Sequence, residues 1–179
     1  METQAQRPAL LDLMLGGHPS LLDVLDQIVE HPHRAMEVDT PVVELEELTE
    51  PDTEGFLKLV TDPSHLAPAD GRPTHFTHGG RDYHFTHVVD RRRRITFDTI
   101  PNRFVRHFLE RYRRVLKQNC VMATDDGARV KRRIQALLGN SFLADVGRVH
   151  RVSVDHVVLR KDPNYRRILE ASIALGRLA

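Results

Sequence analysis

The stretch from Asp98 to Leu116 sorts its side chains so cleanly that it dictates a helix lying on a core. At about 100° per residue, Phe104, Val105, Phe108, Leu109, Tyr112, Val115 and Leu116 fall within one arc of roughly 140°. Arg103, Arg106, His107, Glu110, Arg111, Arg113, Arg114 and Lys117 fill the opposite arc. Pro101 suits a first helical position, where its missing N–H would have had no intrahelical partner. One face is therefore expected to bind a core, while the other presents a dense cationic ridge. Phe104 and Phe108 are expected core residues, and Asn102 a structural residue satisfying free backbone N–H groups at the helix start.

The rest of the chain predicts an α+β fold, mostly helical, with a β-hairpin or small antiparallel sheet in the middle. Gly16-Gly17-His18-Pro19 punctuates the chain, and Ser20 suits the N-cap of a helix from Leu21 to Glu30 that ends at His31-Pro32. Thr40 to Leu48 reads equally as strand or loop. A short helix is expected from Glu54 to Val60, capped by Asp52 or Thr53, and Asp62 to Pro73 reads as a connection. Thr74 to Val89 carries His-Phe-Thr-His twice around Gly79-Gly80, which predicts a hairpin with Gly-Gly at its turn. Ile95-Thr96-Phe97 is a candidate third strand. A helix from Thr124 to Leu138 with Gly139 as its stop is expected next. Val149 to Leu159 is strand-like, and Asp162-Pro163 opens a last helix with Tyr165, Ile168, Leu169 and Ile173 on one face. By composition the chain divides into an acidic helical region (1–70), the hairpin region (71–97) and a basic helical region (98–179), expected to form one compact unit.

Charge sharpens that division. Residues 1–70 hold fifteen Asp/Glu against Arg7, Arg34 and Lys58, a net of −12, whereas residues 71–179 carry +13. Such asymmetry points either to a polyanion or acidic partner for the basic half or to pairing between the halves. From Arg91 to Lys117 ten basic residues face only Asp98 and Glu110. Arg91, Arg92, Arg93, Arg94, Arg103, Arg106, Arg113 and Lys117 are the candidate nucleic-acid-binding residues. Clusters of this kind contact phosphates with little reading of base sequence. Because arginine suits carboxylate as well as phosphate, a protein partner and internal pairing stand beside the nucleic-acid reading. Replacing Arg92 and Arg93 by Ala is expected to weaken DNA binding.

The lone cysteine, Cys120, excludes an intramolecular disulfide and a thiolate zinc site, and a free thiol is expected there. The N-terminus lacks the basic region of a signal peptide, and Leu10 to Leu15 is too short, and broken by Asp12, to span a membrane. A cytoplasmic protein with no membrane contact is expected. His75, His78, His84 and His87 raise a metal hypothesis, but residues three apart in a strand point to opposite faces, so no metal is expected. No phosphate-binding Gly-x-x-x-x-Gly-Lys loop and no nucleophile-elbow pattern occurs.

Asp98-Thr99, followed by Asn102-Arg103-Phe104-Val105-Arg106 and His107-Phe108-Leu109, resembles a motif of McrC-like proteins, in which a domain of unknown function precedes a PD-(D/E)XK nuclease. Ile28-Val29-Glu30-His31-Pro32-His33-Arg34 is similar to an upstream segment of that family. Val158-Leu159-Arg160-Lys161-Asp162-Pro163-Asn164-Tyr165-Arg166 is similar to a downstream one. The sequence departs from the pattern at Ile100-Pro101, where the family carries an acidic residue, so no role of that acid transfers.

A PD-(D/E)XK site needs carboxylates on the metal and a lysine two residues after an acid. Before Lys58, Lys117, Lys131 and Lys161 stand Phe56, Val115, Arg129 and Leu159, so no catalytic residue is assigned and no DNA cleavage is expected. The resemblance implies the non-catalytic N-terminal part of a restriction or antiphage-defence subunit whose nuclease domain lies beyond this chain. It also implies DNA and an AAA+ GTPase or ATPase motor as partners. No cofactor is expected in the chain itself, with Mg²⁺ needed only by the missing nuclease. A stand-alone small DNA-binding or adaptor protein is the alternative, and a histidine-dependent metal enzyme a third reading.

Overall fold

The computed structural model describes residues 2–119, 121, 124–149 and 155–178. It is an α+β fold, predominantly helical, with its strands in small antiparallel sheets. The chain divides into two compact units that cut across the composition blocks. One joins residues 1–35 to 96–179, and the other is the intervening stretch 36–95.

The discontinuous unit is helical: α1 (Glu2–Leu15), α2 (Leu21–Glu30), α4 (Ile100–Gln118), α5 (Asp125–Asn140), α6 (Val157–Lys161) and α7 (Pro163–Leu178). α4 packs against α5 and α7, and α7 packs against α1 and α2. All seven apolar residues expected to face the core from α4 are buried. Phe108, Leu109, Tyr112 and Leu116 are wholly inaccessible. The Tyr112 hydroxyl donates to the Leu10 carbonyl, which ties α1 to α4. α2 has the expected limits because Ser20 and Asp23 close a reciprocal capping box. Asp23 Oδ2 accepts from Ser20 N at 2.8 Å, and Asp23 N donates to Ser20 Oγ at 3.3 Å.

Several expectations are corrected here. α1 was not foreseen, because among its described side chains only Leu10 and Met14, four residues apart, are buried. Helical backbone over Val157–Lys161 replaces strand at the end of the Val149–Leu159 stretch, while residues 150–154 lie outside the described residues. On α7 the buried stripe runs Tyr165, Ile168, Ala171, Leu175, and Ile173 is 52% exposed. That stripe follows steps of three and four, which put Ile173 on the far side. α5 passes through Gly139 to Asn140, and its end is closed by Ser141 Oγ donating to the Leu137 carbonyl. Cys120 lies outside the described residues.

The second unit holds α3 (Thr53–Val60) and short strands. β1 (Ala35–Asp39) pairs with β7 (Arg92–Thr96). β2 (Val42–Glu44) pairs antiparallel with β6 (His87–Val89), Val43 opposite Val88. β3 (Leu66–Pro68), β5 (Arg81–Phe85) and β4 (Phe76–His78) form a three-stranded sheet with β5 in the centre. The hairpin is present as expected. His78 pairs with Arg81 across Gly79 and Gly80, at φ 58° and 73°, a two-residue turn that needs positive φ twice. Val43, Leu59, Phe85 and Val88 form its small core. α3 sits tightly on β6, since a Cβ on Gly55 would lie 2.6 Å from Val89. The third strand differs from expectation: β7 begins at Arg92, so Arg92 to Arg94 are themselves strand, and its partner is β1 rather than the hairpin.

Candidate nucleic-acid interface

The eight candidate cations fall into two groups, one in each compact unit. Arg91 to Arg94 belong to the 36–95 unit, and Arg103, Arg106, Arg113 and Lys117 to α4 in the other. In the first group, three arginines are engaged within their own unit. Asp90, with no accessible surface, accepts from Arg92 Nε at 2.8 Å, from Glu50 N at 2.8 Å and from Thr49 N at 3.1 Å. The Glu50 N–H and then the Arg92 guanidinium hold the Asp90 carboxyl well below the usual carboxylate range. Arg93 pairs with Glu50 at 2.9 Å and Arg94 with Glu37 at 3.0 Å. Arg91 is exposed, with its backbone N–H on the Glu50 carbonyl.

α4 divides along its length. Near its start Arg103 forms a bidentate pair with Asp98, Nε to Oδ1 and Nη2 to Oδ2 each at 2.7 Å. Gly147 N donates to the same Asp98 Oδ1 at 2.8 Å. Arg106 reaches the carbonyls of Leu143, Ala144 and Val146, and its Nε lies 3.3 Å from Glu110. These arginines fasten the 142–147 turn to the helix instead of projecting freely.

One turn further on, most of the cations have no carboxylate partner among the described residues. Arg113, Arg114 and Lys117 of α4, Lys131 and Gln135 of α5, and Arg148 line an open pocket of about 580 Å³ with Glu110. Glu110 accepts from Arg148 Nε at 3.2 Å as well as from Arg106. Among the described residues, no carboxylate pairs with Arg113, Arg114, Lys117 or Lys131. Four unpaired cations thus surround one carboxylate that Arg106 and Arg148 already claim. None of the lining residues is aromatic. Sequence reasoning had Arg113 and Lys117 and missed Arg114, Lys131, Gln135 and Arg148 as site residues. The signal for Lys131 was available in the Lys131-Arg132-Arg133 run; its convergence with α4 was not.

The three segments quoted for the family resemblance meet at one point. Asn102, fully buried, donates from Nδ2 to the carbonyls of His33 at 2.9 Å and Phe97 at 2.7 Å. Tyr165 donates to Asn102 Oδ1 at 2.5 Å and accepts from His33 N at 2.9 Å. Asn102 is structural, as expected, but it satisfies carbonyls rather than helix N–H groups. A family model described as a domain of unknown function, DUF2357, matches residues 2–171. The chain belongs to the DUF2357 family. No curated protein and no solved structure matches it.

The histidines of the DUF2357 hairpin are engaged locally. His84 is buried, its ring lying 3.1 Å from the Pro68 carbonyl through Nδ1 and 2.9 Å from Arg72 Nη1 through Nε2. His75 Nδ1 accepts from Phe85 N at 3.2 Å. Among the described residues, no three His, Cys, Asp or Glu are grouped to hold a metal, and no helix is long and apolar enough to cross a membrane.

The Asp98 clamp makes a pH prediction. The Arg103 guanidinium, aided by the Gly147 N–H, holds the Asp98 carboxyl below its ordinary value against the opposing effect of burial. A carboxylate depressed on folding stabilises above its unfolded pKa of about 3.9, and loses that contribution as pH falls through the lower folded value. Urea midpoints of the wild type should therefore fall more steeply below about pH 4 than those of Asp98→Asn. Parallel curves for the two proteins would contradict the assignment.

Proposed function

We propose that this DUF2357 chain is the non-catalytic part of an McrC-like restriction or antiphage-defence subunit, contacting DNA through the α4–α5 pocket. In this reading it positions a PD-(D/E)XK nuclease domain and works with an AAA+ GTPase or ATPase motor in the cytoplasm. The resemblance of the Asp98–Leu109 motif supports the nuclease and motor association. The DNA contact is carried by one observation, the unpaired cations Arg113, Arg114, Lys117 and Lys131 around a single shared carboxylate. Guanidinium and ammonium groups with no internal counter-charge gain most from phosphate. A lining without aromatic rings offers no platform for stacked bases, so contact through the backbone is favoured over a single-strand groove.

Titration of the chain with a fluorescent 20-base-pair duplex tests this. Affinity should fall with salt at a log–log slope of about −0.9 per phosphate neutralised, alike for unrelated sequences. Lys117→Ala with Lys131→Ala should weaken binding and flatten the slope by up to about two units. Stability should move by no more than about 0.5 kcal/mol per site, because Lys117 is exposed, Lys131 is only half-buried, and neither pairs with a carboxylate among the described residues. Arg92→Ala with Arg93→Ala should do less, because Asp90 and Glu50 already engage those side chains. Absence of binding at low salt, or a slope untouched by the lysine pair, would transfer the pocket to an acidic protein partner.

A further inference from the structure

The 36–95 unit carries a surface of the opposite character. Leu45, Leu48, Phe56 and Val88 line an open pit of about 380 Å³, with Thr74 and His75 among its exposed borders. Phe56 is 39% exposed there although its ring lies 4.8 Å from that of Phe85. A second hollow of about 460 Å³ shares Leu45, His75 and Phe85 with the pit and carries Glu44 and Glu46.

The surroundings are predominantly acidic. From Glu44 to Glu54 there are six carboxylates and no basic residue. Glu50 is taken by Arg93, and Asp52 caps α3 by accepting from Gly55 N at 2.7 Å. Glu44, Glu46 and Glu54 have no ion-pair partner among the described residues. The one arginine in the second hollow, Arg72, is turned toward His84. Apolar area open to water beside uncompensated carboxylates is a combination that a folded unit gains nothing by displaying alone.

We propose that this pit and its acidic extension dock a partner-protein segment in which a large apolar side chain adjoins lysine or arginine. The apolar side chain would displace water from the Leu45–Leu48–Phe56 surface, and the neighbouring cation would reach Glu44 or Glu46. Charge complementarity selects this occupant: a second acidic surface is repelled, and nucleic acid is repelled more strongly. The inference stands independently of the α4–α5 pocket, whose cations would reject the same segment.

The test uses the full chain and a fluorescein-labelled dodecapeptide of alternating leucine and lysine. Two controls replace every leucine by serine or every lysine by glutamate. Binding of the leucine–lysine peptide should be at least about tenfold tighter than either control, about 1.4 kcal/mol. Glu44→Lys with Glu46→Lys should remove that advantage and let the leucine–glutamate peptide bind instead. Thr74→Arg, on an exposed border of the pit, should weaken the leucine–lysine peptide while circular dichroism stays unchanged. A serine–lysine peptide that binds equally well, or a double variant with undiminished affinity, overturns the proposal. So does a dimer in sedimentation that Thr74→Arg dissociates, since the occupant would then be a second copy of the chain.

Discussion

Replacing Phe108 by alanine is expected to cost about 3–5 kcal/mol of stability, the range for deleting a wholly buried aromatic side chain. Phe108 has no accessible surface, and its ring centroid lies 6.0 Å from that of Tyr112. It sits on α4, which packs against both α5 and α7, so neighbours on separate helices cannot all close the space its ring leaves. Lost transfer free energy and residual cavity add, and their sum is a large share of the roughly 5–15 kcal/mol that holds a domain folded. Equilibrium urea unfolding followed by circular dichroism measures it. Ile173→Ala, at a side chain 52% exposed on α7, is the internal comparison and should change little. A Phe108→Ala loss below about 1 kcal/mol would mean that the core collapses around the site far more readily than close packing allows.

Asn102→Ala is expected to cost about 3 kcal/mol, by a different route. The volume removed is small, but the carbonyls of His33 and Phe97 lose their donor and the Tyr165 hydroxyl loses its acceptor. Burial pushes the Tyr165 hydroxyl pKa up to about 12, consistent with a phenol that water reaches poorly. A buried polar group left without a partner costs about 1–3 kcal/mol. Asn102→Asp should be no milder, because a carboxylate would face two carbonyl oxygens where the amide donates. A double-mutant cycle with Tyr165→Phe should give a coupling of about 0.5–3 kcal/mol, as for residues sharing one hydrogen-bond network. Strict additivity of the two changes would show that the knot is not a unit.

Much of the helical architecture was legible because helices are local. The Asp98–Leu116 pattern, the Ser20 cap, the Asp52 cap and the Thr124 cap each depend on residues within a turn or two, and α2, α3, α4 and α5 start where these signals place them. The Gly79-Gly80 turn was legible for the same reason. What failed was non-local. No local signal tells that β7 pairs with β1, or that β6 leaves the hairpin to pair with β2. The arginine run illustrates the consequence for function. As sequence it is a block of four like charges; in the fold Arg92, Arg93 and Arg94 meet Asp90, Glu50 and Glu37, the last two more than forty residues away. The α4–α5 pocket was half visible: Arg113 and Lys117 follow from the helical wheel, but Lys131 and Arg148 arrive by tertiary packing.

The discontinuity of the helical unit has a consequence for how the chain is made. His33 and Tyr165 are joined across 132 residues, and Leu10 and Tyr112 across 102. During synthesis α1 and α2 leave the ribosome long before α7, the helix against which both pack, exists. The pairing of β1 with β7 brings the two ends of the 36–95 stretch side by side. Once that pairing forms, sixty residues of chain become a short bridge, and the loop that the helical unit must close shrinks accordingly.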